Sequence, residues 1–323
     1  MIKTLKIKIV YKNDIYYFFF VKYVVTGGAG FIGSNLVDLL LDNNHEVIVL
    51  DNFSSGKKEN CNKKAIYHNI DLSDCEKINS IKQFLDGCDG VFHLACLPRV
   101  QESIENPIIF EKNNTLSTIN ILKAAADMNV KRVVYSASSS AYGNTNKFPS
   151  KELDPINPIS PYAMQKYYGE VSCKMFSQVY GIETVSLRYF NVYGERQNLD
   201  GAYALVMCVF AKQRMQGKPL TIRGDGEQRR DFTHVLDIAK ANLLAMQSNK
   251  VGNGEVINIG NCDNRSVNEI AKLIGGETVN IDPVIEPRET LADNSKAKEL
   301  LGWLPEIKVE DWVPKYKKDL GID

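Results

Sequence analysis

The sequence of 323 residues carries no excess of charge of either sign, because 39 lysine and arginine residues balance 39 aspartate and glutamate residues. Without net charge, a protein has no long-range field that attracts nucleic acid or an anionic membrane surface. We therefore expect neither as a partner, and basic side chains placed locally must meet any anionic ligand.

Paired cysteines are absent as well. The seven cysteines are odd in number, are scattered along the chain and form no Cys-x-x-Cys motif. This pattern indicates neither a disulfide framework nor a metal site, and it is typical of reduced thiols that serve as packing residues. We therefore expect a cytoplasmic protein without bound metal. The thiols are Cys61, Cys75, Cys88, Cys96, Cys173, Cys208 and Cys262.

The chain also lacks a segment that spans a membrane. The apolar run at residues 16–21 is too short to cross a bilayer, and Lys22 ends it. No small-residue cleavage site of a signal peptide follows. We expect residues 1–20 to be an extension outside the fold, or upstream sequence that is not translated, with Val21 as the true first residue. An intact mass that includes Met1 would contradict the second possibility.

Four glycines lie between a predicted strand and a predicted helix. Residues 23–26 are mostly β-branched or aromatic, which predicts a strand, and residues 31–41 have the apolar period of a helix. Glycines at such a junction permit a tight turn, let a pyrophosphate approach the backbone and let helix and strand pack closely. The free N–H groups at the start of the helix favour an anion. The sequence therefore predicts a dinucleotide site with Gly27, Gly28, Gly30 and Gly33 at the turn.

An acidic residue follows at the expected distance. A second strand is predicted at residues 46–50, and Asp51 comes directly after it, 18 residues beyond Gly33. An acid about 20 residues after the glycines binds the ribose hydroxyls in such sites. No arginine adjoins Asp51 to accept a 2′-phosphate, so the sequence favours NAD over NADP.

Strands and helices alternate through the first 190 residues. Strands are predicted at 23–26, 46–50, 65–68, 90–94, 132–136 and 183–187, and helices at 31–41, 75–85, 107–129 and 162–180. Such alternation is typical of a parallel sheet with right-handed crossovers. We predict an α/β fold with a doubly wound parallel sheet, whose ligands bind at the carboxyl ends of the strands.

Past residue 190 the alternation loosens. Helices are predicted at 203–216, 234–248, 266–274 and 295–301, and strands at 220–222 and 256–259. Ser266 and Glu269 have the spacing of a capping box. We expect a nucleotide-binding domain at 21–190, to which segments near 231–260 return, and a smaller substrate-binding lobe from 191–230 and 261–323.

Tyr162 and Lys166 lie four residues apart in a predicted helix, so they share one helical face. The ammonium charge, together with that of an oxidised nicotinamide, would favour the phenolate and lower the tyrosine pKa, which makes a base for a sugar hydroxyl. Taken alone, this spacing also occurs on ordinary helix surfaces.

Two further motifs end predicted strands. The serines of residues 136–143, SASSSAYG, follow the fifth strand, where they could bond a substrate oxygen or simply form a polar turn. His93 ends the fourth strand, and a single histidine in an apolar strand is more often a core residue than a ligand.

These motifs together resemble one family. Over roughly residues 22–318 the chain is similar to extended short-chain dehydrogenases/reductases of the nucleotide-sugar epimerase/dehydratase branch, especially UDP-glucose 4-epimerase-like proteins. The matching stretches are TGGAGFIG (26–33), DL (71–72), FHLA (92–95), SASSSAYG (136–143), SPYAMQK (160–166), LRYFNVYG (187–194), GDGEQRRDF (224–232) and ADNSKAKELLGW (292–303).

The resemblance implies a Rossmann fold and a role for each matching residue. The implied cofactor-binding residues are Gly27, Gly30, Phe31, Ile32, Gly33, Asp51, Asn52, Asp71, Leu72, Leu94, Ala95, Tyr162 and Lys166. Ser138, Tyr162 and Lys166 would be catalytic, and the implied substrate-binding residues are Ser138, Asn191, Arg230, Arg288 and Thr290. Arg230 and Arg288 would bind the substrate diphosphate through their planar guanidinium groups.

The resemblance also implies a reaction. Tyr162 would take the proton of the C4 hydroxyl of a UDP-sugar, and NAD would take and return the C4 hydride, so that a transient 4-keto sugar returns as its epimer. Dehydratases of the family carry an Asp-Glu pair where this chain has Ser139 and Ser140, and decarboxylases carry a Glu where it has Ala141. Both activities are therefore disfavoured.

Several alternatives stay open. Small Thr290, at the position that gates the C2 substituent, favours tolerance of UDP-N-acetylglucosamine and UDP-N-acetylgalactosamine beside UDP-glucose and UDP-galactose. A uronate epimerase, an NADPH-dependent reductase and a non-catalytic NAD-binding sensor remain alternatives. Glu195 replaces the proline of the family's Gly-Pro-Arg motif, without an evident consequence. Members commonly form homodimers through the helices at 107–129 and 162–180.

Overall fold

The computed structural model describes residues 6–11, 14–19, 21–197, 205–283 and 287–322. The strands are β1 Lys6–Tyr11, β2 Asp14–Phe19, β3 Lys22–Thr26, β4 Glu46–Asp51, β5 Ile66–Asn69, β6 Gly90–His93, β7 Arg132–Ser138, β8 Glu183–Tyr189, β9 Val192–Tyr193, β10 Leu220–Arg223, β11 Arg229–Asp231, β12 Thr233–His234, β13 Asn253–Ile259, β14 Asn264–Ser266 and β15 Thr278–Ile281. The α-helices are α1 Phe31–Asp42, α2 Ile78–Leu85, α3 Val100–Glu105, α4 Pro107–Glu111, α5 Ser117–Asp127, α6 Pro161–Tyr180, α7 Val206–Met215, α8 Val235–Gln247, α9 Val267–Ile274, α10 Ser295–Leu301 and α11 Val309–Asp319.

Seven strands form one sheet in the order β5-β4-β3-β6-β7-β8-β13, and every neighbouring pair is parallel. The chain adds β4 and β5 on one side of β3 and then returns to add β6 and the later strands on its other side. The boundary between β3 and β6 is therefore the topological switch point of a doubly wound sheet. The α/β fold class predicted from the alternation is confirmed. The hairpin of β1 and β2 pairs antiparallel with itself, and the sheet begins at Lys22.

Alternate side chains of β3 and β4 face opposite layers of helices. Val25 and Val49 belong to one core with α1 and α8, whereas Val24 and Leu50 belong to the other with α2, α5 and α6. Because successive side chains of a strand point to opposite faces, both faces of this sheet are apolar and both are covered.

A third core lies in the C-terminal part of the chain. Helices α7, α9 and α11 and strand β10 enclose Phe210, Ile270 and Trp312. The predicted capping box is confirmed: Ser266 Oγ accepts from the N–H of Glu269, whose carboxylate accepts from the N–H of Ser266. None of the helices in the described part of the chain is long and apolar enough to span a membrane.

One predicted helix is interrupted. The sequence predicts a single helix at 107–129, whereas the structure has α4, a π-helical turn at Lys112–Leu116 and α5. The hydroxyls of Thr115, Ser117 and Thr118 donate to the carbonyl oxygens four residues earlier. Such bonds compete with the regular helix ladder, which apolar periodicity alone does not reveal.

Candidate active site

The glycine turn brings β3 and α1 into close contact. Gly27 adopts φ of +70°, and its N–H donates to Leu50 O at 2.9 Å. A Cβ on Gly33 would lie 2.1 Å from Gly27 O, so only glycine permits this approach of helix and strand. The two glycines are thus required by geometry.

The start of α1 is suited to an anion. The first helical bond runs from Ser34 N to Gly30 O, so the N–H groups of Phe31, Ile32 and Gly33 precede the helix ladder. No side chain caps this terminus, and no acidic residue lies in its first turn. Backbone donors and the positive end of the helix dipole therefore fit a pyrophosphate.

Asp51 ends β4 and contacts the glycine turn. Its buried carboxylate accepts from the N–H of Ala29 at 2.9 Å and from the N–H of Phe53 at 2.8 Å. The residue predicted to bind ribose therefore also fixes the turn, which the spacing did not predict. Asn52 accepts from the N–H of Ser54 at 3.0 Å.

Asp71 and Leu72 follow β5 at the same edge of the sheet. Asp71 Oδ1 accepts from the N–H of Ser73 at 2.9 Å and from its hydroxyl at 2.7 Å. Burial opposes the charged carboxylate, but the Ser73 bonds outweigh it and lower the pKa of Asp71. Leu72 is buried, and its carbonyl accepts from Asn120 Nδ2 at 2.8 Å.

Leu94 and Ala95 follow β6 beside the glycine turn. Their N–H groups both donate to Thr26 Oγ1 at 3.1 Å. A Cβ on Gly27 would lie 2.8 Å from Ala95 N, so these backbones nearly touch. His93 is 1% exposed and lies in the core between Thr26 and Thr118, which agrees with the structural interpretation of this residue.

Ser138, Tyr162 and Lys166 come together where β7 ends and α6 begins. Ser160 caps α6 by accepting from Ala163 N at 3.2 Å, and Ser138 lies close enough to Tyr162 to lower the pKa of its phenol. The buried Lys166 Nζ donates to Ser136 O at 2.7 Å and lies 6.0 Å from the centroid of the Tyr162 ring. The serine, the phenol and the ammonium group therefore form one cluster.

The pKa of Tyr162 is set mainly by burial. Burial raises this pKa above its ordinary value, proximity to Cys96 raises it further, and Ser138 lowers it only in part. Burial disfavours the phenolate, and the ammonium of Lys166 is bonded to a backbone carbonyl. The lowering expected from Lys166 together with an oxidised nicotinamide stays a prediction.

Asn191 and Thr290 form a second polar cluster. Asn191 Nδ2 donates to Thr290 Oγ1 at 3.0 Å and to Asp231 O at 3.1 Å, while Thr290 Oγ1 accepts from Asp231 N at 3.2 Å. The structure thus joins two predicted substrate-binding residues that lie 99 positions apart.

The two predicted diphosphate ligands have different surroundings. Both terminal nitrogens of Arg288 donate hydrogen bonds to the carboxylate of Asp225, at 2.8 and 2.9 Å. This contact is the main cause that lowers the pKa of Asp225 to about 2. Arg230 Nη1 donates to Arg229 O at 2.9 Å. A cleft of about 390 Å³ is lined by Arg223, Gly224, Asp225, Gln228, Pro283, Pro287 and Arg288. Arg230 is not among its described lining residues.

Sequence reasoning missed Asp231. This fully buried carboxylate accepts from the N–H groups of Asn261 at 2.7 Å, Cys262 at 3.1 Å and Ala292 at 2.9 Å. It thereby ties the strand of Arg230 to the segment that precedes α10. Burial raises the pKa of Asp231 to about 6, against the three N–H bonds that lower it. The RRDF motif contained this signal.

Glu195, which had no predicted role, connects three elements. Its carbonyl accepts from Asn35 Nδ2 of α1 at 3.1 Å, and Oε1 accepts from Trp312 Nε1 of α11 at 3.0 Å. Oε2 lies 3.3 Å from Nε2 of the buried His234. The His234 contact is the main cause that lowers the pKa of Glu195 to about 2.

Asn114, in the π-helical turn, was also missed. Its Oδ1 accepts from Leu97 N at 2.7 Å, and its Nδ2 donates to Leu97 O at 3.1 Å and Gln165 Oε1 at 2.9 Å. It therefore links the segment after β6 to the helix of Tyr162 and Lys166. No sequence pattern near Asn114 indicates this contact.

Comparison with known proteins identifies the family. The model of the NAD dependent epimerase/dehydratase family matches residues 23–260. A putative UDP-glucose 4-epimerase of Methanocaldococcus jannaschii is 42% identical over 300 residues, which cover 90% of this chain and 95% of that protein.

Solved structures agree. UDP-glucose 4-epimerase of Thermotoga maritima with UDP-glucose has a TM-score of 0.87 at 37% identity, covering 93% of this chain and 100% of that chain. UDP-N-acetylglucosamine 4-epimerase of Methanobrevibacter ruminantium with UDP-N-acetylmuramic acid has a TM-score of 0.86 at 34% identity, covering 93% and 99%. The chain therefore belongs to the NAD-dependent epimerase/dehydratase family, within the extended short-chain dehydrogenases/reductases. It is an epimerase that uses NAD.

Proposed function

We propose that this protein inverts C4 of UDP-N-acetylglucosamine and UDP-N-acetylgalactosamine, or of UDP-glucose and UDP-galactose, through a transient 4-keto sugar. The cluster of Ser138, Tyr162 and Lys166 is the observation that carries the proposal. It lies at the carboxyl edge of the sheet, where a doubly wound fold binds its ligands.

The residues of the glycine turn would hold NAD. The uncapped start of α1 suits the pyrophosphate, and the buried Asp51 suits the adenosine ribose. The full proposed set is Gly27, Gly30, Phe31, Ile32, Gly33, Asp51, Asn52, Asp71, Leu72, Leu94, Ala95, Tyr162 and Lys166. When bound, NAD supplies the acceptor and donor of the C4 hydride.

Tyr162 would be the general base and acid for the C4 oxygen. Its phenolate would take the proton as C4 is oxidised, and the resulting hydroxyl would return it as C4 is reduced, so one residue serves both halves of the reaction. Ser138, which lies close to Tyr162, would donate to the same sugar oxygen. Burial of the phenolate charge is the main cause that raises the pKa of Tyr162. The positive charge of Lys166 would offset this cost and stabilise the phenolate.

The C-terminal part of the chain would bind the nucleotide and the sugar. We assign this lobe to residues 191–230 and 261–323, with 21–190 and the segments near 231–260 as the NAD-binding domain. The separate third core supports the division. Asn191 and Thr290 would face the sugar, while Arg230 and Arg288 would bind the diphosphate once Arg288 exchanges the carboxylate of Asp225 for phosphate.

Thr290 supports a substrate with an N-acetyl group at C2. Its small side chain is hydrogen-bonded to Asn191 and to Asp231 N, and these two bonds fix its position. A tyrosine at this position would occupy more space. We therefore rank UDP-N-acetylglucosamine as the preferred substrate, with UDP-glucose second.

We further propose a homodimer. Exposed apolar side chains follow one face of α6 at spacings of three and four residues, and Ile108 of α4 is 83% exposed beside them. An apolar face of this size is typical of an interface. The stripe consists of Met164, Tyr168, Val171, Met175 and Val179.

Seven free cysteines support the cytoplasm as the compartment.

The test of function is purified protein with UDP-N-acetylglucosamine, UDP-glucose or UDP-glucuronate, without added cofactor, followed by proton NMR. We expect the C4 epimer from the first and a slower reaction of the second, with Tyr162→Phe inactive. Conversion of UDP-glucuronate alone would establish the uronate epimerase. Stoichiometric consumption of NADPH would indicate the reductase. Bound NAD without any turnover would indicate the sensor.

A further inference from the structure

We propose that His93 is a positioning residue for catalysis. Its neutral ring, held as the Nε2–H tautomer, connects residues 94–95, which follow β6 beside the proposed NAD site, to residues 114–118. The latter residues contact α6, the helix that carries Tyr162 and Lys166. The inference rests on the roles proposed for Tyr162 and Lys166. Its evidence is a continuous series of buried hydrogen bonds in which the donor and the acceptor of each side-chain bond can be assigned.

The first half of this series fixes Nδ1 as an acceptor. Thr26 Oγ1 accepts two backbone bonds, from Leu94 N and Ala95 N, both at 3.1 Å. A hydroxyl has two acceptor positions and one proton. The proton of Thr26 must therefore be donated to His93 Nδ1, which lies 2.8 Å away.

The second half follows from the first. Because Nδ1 accepts, the proton of a neutral ring is on Nε2, which lies 3.1 Å from Thr118 Oγ1. The Thr118 hydroxyl in turn donates to Asn114 O at 2.7 Å. Every bond is thus donated in one direction, from Thr26 through His93 and Thr118 to Asn114.

Both ends of the series contact residues of the active site. At one end, the backbone of Ala95 lies against Gly27, where a Cβ would meet Ala95 N at 2.8 Å. At the other end, Asn114 bonds Gln165, the residue before Lys166, at 2.9 Å. A shift of the ring would therefore displace the cofactor turn relative to Lys166.

An imidazole is suited to this position because it is rigid and carries an acceptor and a donor on opposite sides. Protonation would place a donor against the Thr26 hydroxyl and break the series. Burial, and secondarily the charge of Lys166, lower the pKa of His93 to about 3. The ring faces Tyr135 at a centroid distance of 5.8 Å, so the groups around it are Thr26, Thr118, Tyr135 and the more distant ammonium.

Two variants of Thr118 test the proposal, because this residue is buried and makes no proposed contact with NAD or sugar. Thr118→Val keeps the shape and removes the acceptor of the Nε2 proton, whereas Thr118→Ser keeps the hydroxyl. We expect Thr118→Val to lower kcat about tenfold, the equivalent of one lost hydrogen bond of about 1.4 kcal/mol, with KM for the UDP-sugar within twofold. Thr118→Ser should restore most of kcat. Equal kcat in wild type and Thr118→Val would overturn the proposal.

A second measurement does not depend on turnover. Long-range ¹H–¹⁵N NMR of the wild-type protein reports the tautomer of each of its four histidines, with His93 assigned by replacing the other three in turn. We expect protonated Nε2 and bare Nδ1 for His93 from pH 6 to pH 9. The opposite tautomer, or titration in that range, would overturn the proposal even if the substrate assignment is correct. Failure of the substrate test with the expected tautomer would instead count against the proposed function.

Discussion

At the scale of single residues, the glycine turn leaves no space for a methyl group. A Cβ on Gly33 would lie 2.1 Å from the carbonyl oxygen of Gly27, and neither backbone can yield without moving α1 from β3. The pyrophosphate donors at the start of α1 would move with the helix. Binding of NAD should therefore depend on this residue more than on any property of the helix itself.

Gly33→Ala tests this requirement. Forcing a methyl group into the contact costs roughly 1–3 kcal/mol, and we expect NAD affinity to fall by about 5- to 150-fold. The matched control is Asp42→Ala, at the exposed end of the same helix, which should leave affinity unchanged. Calorimetric titration of the cofactor-depleted protein measures both. Wild-type affinity in Gly33→Ala would contradict the assignment of the turn.

At the scale of elements, Glu195 connects α1, the helix proposed to bind the pyrophosphate, with α11 of the C-terminal part. The contacts with Asn35, His234 and Trp312 are made across long sequence separations. In place of a proline, this chain therefore has a carboxylate that bridges two regions. Its pKa of about 2 makes the contribution dependent on pH.

Comparison of wild type with Glu195→Gln checks this bridge. The folded-state pKa lies below the ordinary 4.5, so the stabilisation is complete above about pH 4.5 and is lost as pH falls through 2. We expect the variant to have a free energy of unfolding lower by up to about 1 kcal/mol at pH 7, the scale of a partly solvated pair. Urea titrations at pH 7 and pH 3 should show the difference shrinking at the lower pH. A constant or growing difference would argue against the bridge.

Predictability also differs between elements. The strand–glycine–helix unit and the pair of Tyr162 and Lys166 are local patterns, so the sequence predicts them and their position at the sheet edge. The π-helical turn is not predictable from apolar period, because that period does not reveal the hydroxyl-to-carbonyl bonds of Thr115 and its neighbours that accompany it. The contacts of Asn114, Asp231 and Glu195 are likewise hidden, since each joins segments that only the tertiary fold brings together. Burial, the main cause that raises the pKa of Tyr162, is a property of the fold and is not evident from the spacing of Tyr162 and Lys166.

At the scale of the whole molecule, the apolar face of α6 sets the expected assembly. Val179 is 68% exposed and Met164 is 52% exposed at the two ends of the stripe. Val179→Glu would place a charge within a desolvated dimer interface, which disfavours association. We expect wild type to sediment as a dimer and this variant to shift toward monomer, with unchanged melting in the dilute monomeric limit. The control is Leu153→Glu, at a 97% exposed position outside α6 and its apolar stripe, which should remain dimeric. A wild-type monomer at micromolar concentration would refute the dimer.

The central claim is that C4 is inverted by removal and return of its own hydrogen. The most direct measurement is the reaction of UDP-N-acetylglucosamine in D₂O without added cofactor, observed at the C4 position by proton NMR. Our account predicts formation of the C4 epimer with its C4 hydrogen fully retained, because that hydrogen never exchanges with solvent, and no reaction in Tyr162→Phe. Deuterium at C4 of the product would contradict the account, since it would indicate deprotonation of carbon in place of hydride transfer. Absence of any epimer, with UDP-glucose also unreactive, would contradict the assigned reaction.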